Sequence, residues 1–349
     1  MRFLTAAEAR VIQSLLAKGN GEEERYHQSG VPRTTFQTIR RRAFVNGWLK
    51  QRYIPSPAFL GLTSVGFTLA QPFADRRGEA IRALRSLPGL VLMWVSPDAY
   101  FCVNFLRETA KPSGSPPRSP IAVPLEPFRR TWAVVAAVDR GHIPIYFDYE
   151  GAWARYAARR PPLSYPLPLE FSPALKESRL RPSHGVHQAA IELVARPFER
   201  GPTRKGALFF STNRLPRAQR MLYKYGCITH RIFPDLVALP PMRENRIERI
   251  IFVTGLFLDG SKPDELLVDL LGPGNVSPLL FAHDGRRVLL AGLATTPVST
   301  VRTAGFVTDL LKHYLRDIET VREDVQLIQP IVDHRYGQLL ESSSADRLG

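Results

Sequence analysis

The sequence predicts an α+β chain in which one unit occurs twice: short helices and a strand, followed by β-α-β-β-α-β. Three observations predict it. The segment GWLKQRYIP at Gly47–Pro55 aligns with GCITHRIFP at Gly226–Pro234, with Gly, Arg and Pro at the same offsets. Downstream of each, stretches of alternating and of helical apolar spacing follow one another in the same order. Between the two copies, residues 159–183 carry six prolines, a composition that suits a semi-rigid linker.

Composition bounds the partners. The chain has 349 residues, 44% of them hydrophobic, and a net charge of +15, which attracts polyanions. It has no apolar run of the roughly 18 residues that a membrane span needs. The N-terminal stretch MRFLTAAEARVIQSLLAKG lacks a signal-peptide core and cleavage site. Cys102 and Cys227 are too few for a disulfide framework or a zinc site and read as reduced core residues. These features predict a cytoplasmic, nucleoid-associated protein with no membrane partner.

Taken in order, Thr5 and Glu8 have capping-box spacing and open a helix over 5–18 whose apolar face is Val11, Ile12, Leu15 and Leu16. Asn20-Gly21 breaks it, and Glu22–Ser29 forms a second helix with acidic residues at its positive end. After Pro32, Thr34 or Thr35 can cap a third helix with Phe36, Ile39, Ala43 and Phe44 facing a core. Gly47 suits the left-handed position that ends it, and Trp48–Ile54 alternates as a strand. Helix, helix, turn, helix, strand is the winged helix-turn-helix order. From Arg33 to Arg52 there are six Lys or Arg and no acidic residue.

Residues 62–70 read as a strand, Arg77–Leu87 as a helix, and Leu90–Val95 and Tyr100–Leu106 as a hairpin. Arg107–Pro120 has no apolar period and reads as a loop insert. Glu126–Val138 is read as a helix and Ile143–Tyr149 as a closing strand, which completes a ferredoxin-like β-α-β-β-α-β order. The pattern then restarts. Val186–Arg196 is a helix and Leu215–Tyr225 a second basic helix. From Arg200 to Arg231 there are eight Lys or Arg and no acidic residue. Strand Arg249–Leu258, helix Pro263–Leu271, strands Val276–Ala282 and Arg287–Leu293, helix Ser299–Ile318 and strand Val325–Val332 close the second unit. His283-Asp284-Gly285 marks the hairpin turn. The expected domains are thus 1–56 and 184–238 (winged helices), 60–150 and 246–333 (ferredoxin-like modules), with insert 107–120, linker 159–183 and tail 341–349.

The segment VPRTTFQTIRRRAFVNGWL and the module at Leu62–Tyr149 together resemble the Lrp/AsnC (feast/famine) family of transcription regulators. That resemblance implies two repeats of a winged helix and a RAM-like ferredoxin domain, fused as a pseudo-dimer. It implies double-stranded DNA as partner, homo-oligomers through the ferredoxin-like modules, a small-molecule effector, no cofactor and no enzymatic activity. Arg40, Arg42, Lys50, Arg52, Arg204, Lys205, Arg220, Lys224 and Arg231 are the expected phosphate contacts, and Arg33 is a further expected DNA contact. Thr35, Gln37, Thr38, Arg41, Arg217 and Gln219 are the expected base readers.

Two competing readings use the same scaffold. Siroheme decarboxylases resemble this two-domain plan and would need Arg or His at a tetrapyrrole carboxylate, for which His142 and Arg140 are the suggestive pair. A replication or partition initiator also uses paired winged helices. Other motifs carry no chemistry. His184 and His187 lack companion ligands, and Gly272-Pro-Gly-Asn275 lacks the spacing of a phosphate loop.

Overall fold

The computed structural model describes residues 2–16, 22–55, 64–106, 126–137, 145–147, 228–235, 238–240, 249–271, 277–294 and 309–332. It is a mixed α/β chain with antiparallel sheets, consistent with the α+β class. The N-terminal part folds as expected: α1 (Ala6–Leu16), α2 (Glu22–Ser29), α3 (Arg33–Val45) and β1 (Leu49–Pro55). The helices wrap Val11, Ile12, Leu15, Phe36, Ile39, Ala43, Phe44, Trp48 and Leu49. Gly47 takes φ +71°, and its N–H is bonded to the Phe44 carbonyl, so it ends α3 as a left-handed residue. The helix starts two residues earlier than a Thr34 cap, and three earlier than a Thr35 cap, would place it. Pro32 precedes it, and no side chain among the described residues caps it. Thr38 instead returns its hydroxyl to the Thr34 carbonyl at 2.9 Å.

β1 pairs antiparallel with β7 (Ile228–Pro234), the strand that repeats its sequence. Arg52 and Arg231, equivalent in the repeat, stand opposite each other in the register. The pseudo-twofold axis of this ribbon therefore passes through their pair.

Two five-stranded sheets follow. One contains β2 (Ser64–Pro72), β3 (Leu90–Val95), β4 (Tyr100–Leu106) and β5 (Phe128–Ala137), in the order β3-β4-β2-β5. The other contains β8 (Arg249–Phe257), β9 (Ser277–His283), β10 (Arg287–Ala294) and β11 (Leu315–Asp324), in the order β9-β10-β8-β11. Numbered within each set, both run 2-3-1-4. The fifth strands are exchanged. β6 (Ile145–Phe147) crosses to the edge of β9, and β12 (Gln329–Val332) crosses to the edge of β3.

The inner faces form one core that continues into the helical part. Val65, Phe67, Phe101, Val103, Phe105 and Val134 from one sheet share it with Ile250, Phe252, Leu280, Leu289 and Ala291 from the other. The rings of Phe101 and Phe252 lie 5.5 Å apart. Trp132 Nε1 donates to the Val288 carbonyl at 3.2 Å, and Arg130 pairs with Glu319 at 2.9 Å, both across the two sheets. The outer faces are covered by α4 (Arg77–Arg85), through Ala80 and Leu84, and by α5 (Pro263–Leu271), through Leu266 and Leu270. The molecule is thus layered helix, sheet, sheet, helix.

Three expectations are corrected. Of the helix expected over Glu126–Val138, the described residues 126–137 are not helical but hold β5. Thr131, Trp132, Val134 and Val135 favour a pleated strand, and β2 offers them a full ladder from Ser64 to Pro72. The helix expected over Ser299–Ile318 gives way to β11 from Leu315, with residues 309–312 helical. The strand expected over Val325–Val332 is a 3-10 turn (Val325–Leu327) followed by β12, which leaves its own sheet. The insert 107–120, the linker 159–183, the helices expected at 186–196 and 215–225 and the tail 341–349 lie outside the described residues.

Two positions test this packing. Gly89 has φ +66°, and a Cβ added there would meet the Phe105 carbonyl oxygen at 1.9 Å. Gly89→Ala is expected to destabilise by well over the ~1 kcal/mol of left-handed strain alone, seen as a large fall in denaturation midpoint. Thr68 is fully buried and its hydroxyl has no partner among the described residues. Counted from the closing pairs of the two hairpins, Val95–Tyr100 and His283–Val288, its counterpart in the other sheet is Val253. Thr68→Val is expected to stabilise by about 1 kcal/mol; a lowered midpoint would show that the hydroxyl is satisfied.

Candidate functional site

The segment from α3 to β1 carries most of the residues expected to meet an anion. Its exposed polar residues on α3 are Arg33, Thr34, Gln37, Thr38, Arg41 and Arg42, with Thr35 half-buried. Its arginines are largely engaged within the protein. Arg33 pairs with Glu23 at 3.3 Å and lies over the Tyr26 ring at 5.8 Å. Arg40 is buried, with Nη1 donating to Gln37 Oε1 at 3.3 Å. Arg42 Nη1 donates to Glu8 Oε1 at 3.0 Å. Lys50 pairs with Asp235 at 2.6 Å, with both side chains mostly shielded from solvent. That pair links the strand after α3 to the end of β7. Arg52 and Arg231 share the central register position of the β1–β7 ribbon. Arg204, Lys205, Arg217, Gln219, Arg220 and Lys224 lie outside the described residues, as do His142 and Arg140.

Glu8 organises the near side of this segment. Its carboxylate is buried at 2% exposure and accepts from the Thr5 N–H at 3.0 Å, from Arg42 and from Arg2. Arg2 also lies over the Trp48 ring at 5.0 Å. Burial acts to raise the Glu8 pKa. The Thr5 backbone donor and the Arg42 and Arg2 guanidinium groups outweigh it and hold the carboxyl below its ordinary value. The Thr5–Glu8 spacing predicts the helix cap, but not the two arginines that converge on it.

A second buried carboxylate was not foreseen. Glu323 on β11 is 2% exposed, and its Oε1 has no hydrogen-bond partner among the described residues. It lies within reach of the Ser96 hydroxyl and the Asp98 N–H of the β3–β4 hairpin. Burial pushes its pKa up to about 6, which the Asp98 charge assists and Ser96 and Arg249 oppose. Cys102 is buried and its thiol pKa is pushed up by desolvation, so it is an inert core residue as expected. Cys227 lies outside the described residues.

The Glu8 cluster makes an acid-stability prediction. A depressed carboxyl contributes stability that is present above its unfolded value and is lost as pH falls through its folded one. Glu8→Gln is expected to cost about 1–3 kcal/mol at neutral pH, because two arginines lose their carboxylate. The difference between wild type and variant should shrink below about pH 4.5. Equal midpoints at pH 7 would rule out the hub.

No family model matches the chain, and no curated protein matches it. Among solved structures it is similar to the crystal structure of the siroheme decarboxylase NirDL, at 10% identity and a TM-score of 0.41, over 98% of this chain and 100% of that chain. It is similar to the same decarboxylase in co-complex with an iron-uroporphyrin III analogue, at 10% identity and a TM-score of 0.41, over 98% of each chain. Both structures are of an enzyme, which runs against the expectation that this chain is not one. Neither is of a DNA-binding regulator.

Proposed function

We propose that the chain is an enzyme of siroheme-decarboxylase type, acting on the carboxylate side chains of an iron tetrapyrrole. The observation that carries this reading is the internal engagement of four of the six α3 and β1 cations. Arg33, Arg40, Arg42 and Lys50 are engaged by Glu23, Gln37, Glu8 and Asp235. A helix that grips DNA needs such groups for phosphate, whereas an enzyme built on the same scaffold needs only a few cations at its site. Arg52 and Arg231, two cations at one register position on the pseudo-twofold axis, suit an anionic ligand. Arginine binds carboxylate with paired N–H donors, which favours it over lysine there. The 2-3-1-4 strand order of both sheets supports reading the chain as a fused pair of winged-helix and ferredoxin-like units of Lrp/AsnC type.

The test is an absorption titration of the purified full-length protein with iron uroporphyrin, followed by assay of carbon dioxide release from siroheme. Saturable binding with a shifted absorption band and carbon dioxide release is expected. Arg52→Ala and Arg231→Ala should each weaken binding by about tenfold or more, the worth of a charged hydrogen bond. No tetrapyrrole binding, together with retention of specific DNA fragments at raised salt, would overturn the reading.

A further inference from the structure

The exchange of strands between the sheets turns on one short passage of chain. After Asp324 the backbone leaves the β11 edge, makes the 3-10 turn Val325–Leu327, and joins the other sheet as β12, with Gln329 opposite Val95 and Pro330 opposite Trp94. Glu323 is the last buried residue of β11 before that crossing, and Ser96 is the residue after the β3 strand that β12 joins. Glu323 stands opposite Ile250. In the other sheet the matching pair is Ala136 opposite Val65. The pseudo-equivalent place is therefore apolar, and packing alone does not require a carboxyl here.

The hydrogen bonds around Ser96 differ between the two protonation states of Glu323. Ser96 Oγ donates to the Ala99 carbonyl at 2.6 Å and accepts from the Ala99 N–H at 3.1 Å. A serine hydroxyl has one proton and two acceptor sites. A protonated Glu323 can donate to the remaining acceptor site of Ser96 and accept from the Asp98 N–H, so every proton in the chain is used. An ionised Glu323 is favoured by the Asp98 N–H and by the Ser96 hydroxyl, but it takes the single Ser96 proton away from the Ala99 carbonyl and places a charge between the sheets, and burial outweighs those bonds. The charged groups that face it are Asp98 from the β3–β4 turn, which repels the ionised form, and Arg249 from β8, which attracts it. Arg249 also stands opposite Asp324 in the register.

We infer that Glu323 is a proton-sensitive latch: protonated, it holds the β3–β4 hairpin against β11 and seats β12 on β3; ionised, it loosens that seat. The direction follows from linkage. A carboxyl whose folded pKa is raised contributes stability that is present below its unfolded value and is lost as pH rises through the folded one, here about 6. The latch is closed at pH 5 and open at pH 7.5.

Amide hydrogen exchange of the full chain, read as protection factors for residues 329–332 and their β3 partners, tests this. Wild type is expected to lose protection on the order of tenfold between pH 5 and pH 7.5, while amides of β8 and β10 hold theirs. Glu323→Gln, which mimics the protonated carboxyl, should keep the low-pH protection at both values. Asp98→Asn, an exposed turn residue, should move the wild-type midpoint to lower pH by removing the like charge. A pH-independent β12 in wild type, or an unchanged midpoint in both variants, would overturn the latch.

Discussion

The fold rests on one shared apolar layer between two antiparallel sheets. Neither sheet can stand alone in water, because the inner faces carry Phe67, Phe101, Val103 and Phe105 on one side and Phe252, Leu280 and Leu289 on the other. At about 25 cal/mol per Å² of apolar surface, burying such a face is the largest favourable contribution available to each half. The same layer runs on into the helical part, where Ile232 and Leu239 join Val11, Phe36 and Trp48. The position of α3, of the β1–β7 ribbon and of the exchanged strands all follow from that common core. Directional contacts such as Trp132 to Val288 then choose one alignment of the sheets among the many that apolar packing would accept.

Much of this was legible because it is local. The hairpin β3–β4 and helix α5 were read to the residue, and the β9–β10 turn was announced by Asp284-Gly285, whose Asp284 Oδ1 accepts from the Arg286 and Arg287 N–H groups. The repeat was legible because Gly47–Pro55 and Gly226–Pro234 share residues at fixed offsets. That the two copies pair with each other is a long-range outcome that no local pattern carries. Residues 126–138 were misread for the same reason. FRRTWAVVAA has spacing compatible with either a helix or a strand, and the open β2 edge decided between them. The crossing of β6 and β12 to the opposite sheet is likewise a choice of partner.

The site was less legible than the fold. A run of arginines without acids looks free in sequence, yet Glu8, Glu23 and Asp235 reach Arg42, Arg33 and Lys50 from other elements. Charge in a sequence window therefore overstates charge at a surface when the counter-ions come from elsewhere in the chain. Glu323 gave no signal at all, since a glutamate in an alternating strand reads as solvent-facing until the second sheet is laid over it.

The reciprocal exchange has a consequence for how the chain is made. The β3 edge is completed by β12, and the β9 edge by β6, so contacts that finish each sheet join residues far apart along the backbone. Contacts of high sequence separation slow folding, and a chain synthesised from its N-terminus exposes its early strands first. On the ribosome the N-terminal sheet waits with a bare edge and an uncovered phenylalanine-lined face until nearly all of the described chain has emerged. Nascent chains caught in that interval are the species most open to pairing with one another, so the yield of folded protein depends on synthesis rate and on chaperone supply as well as on final stability.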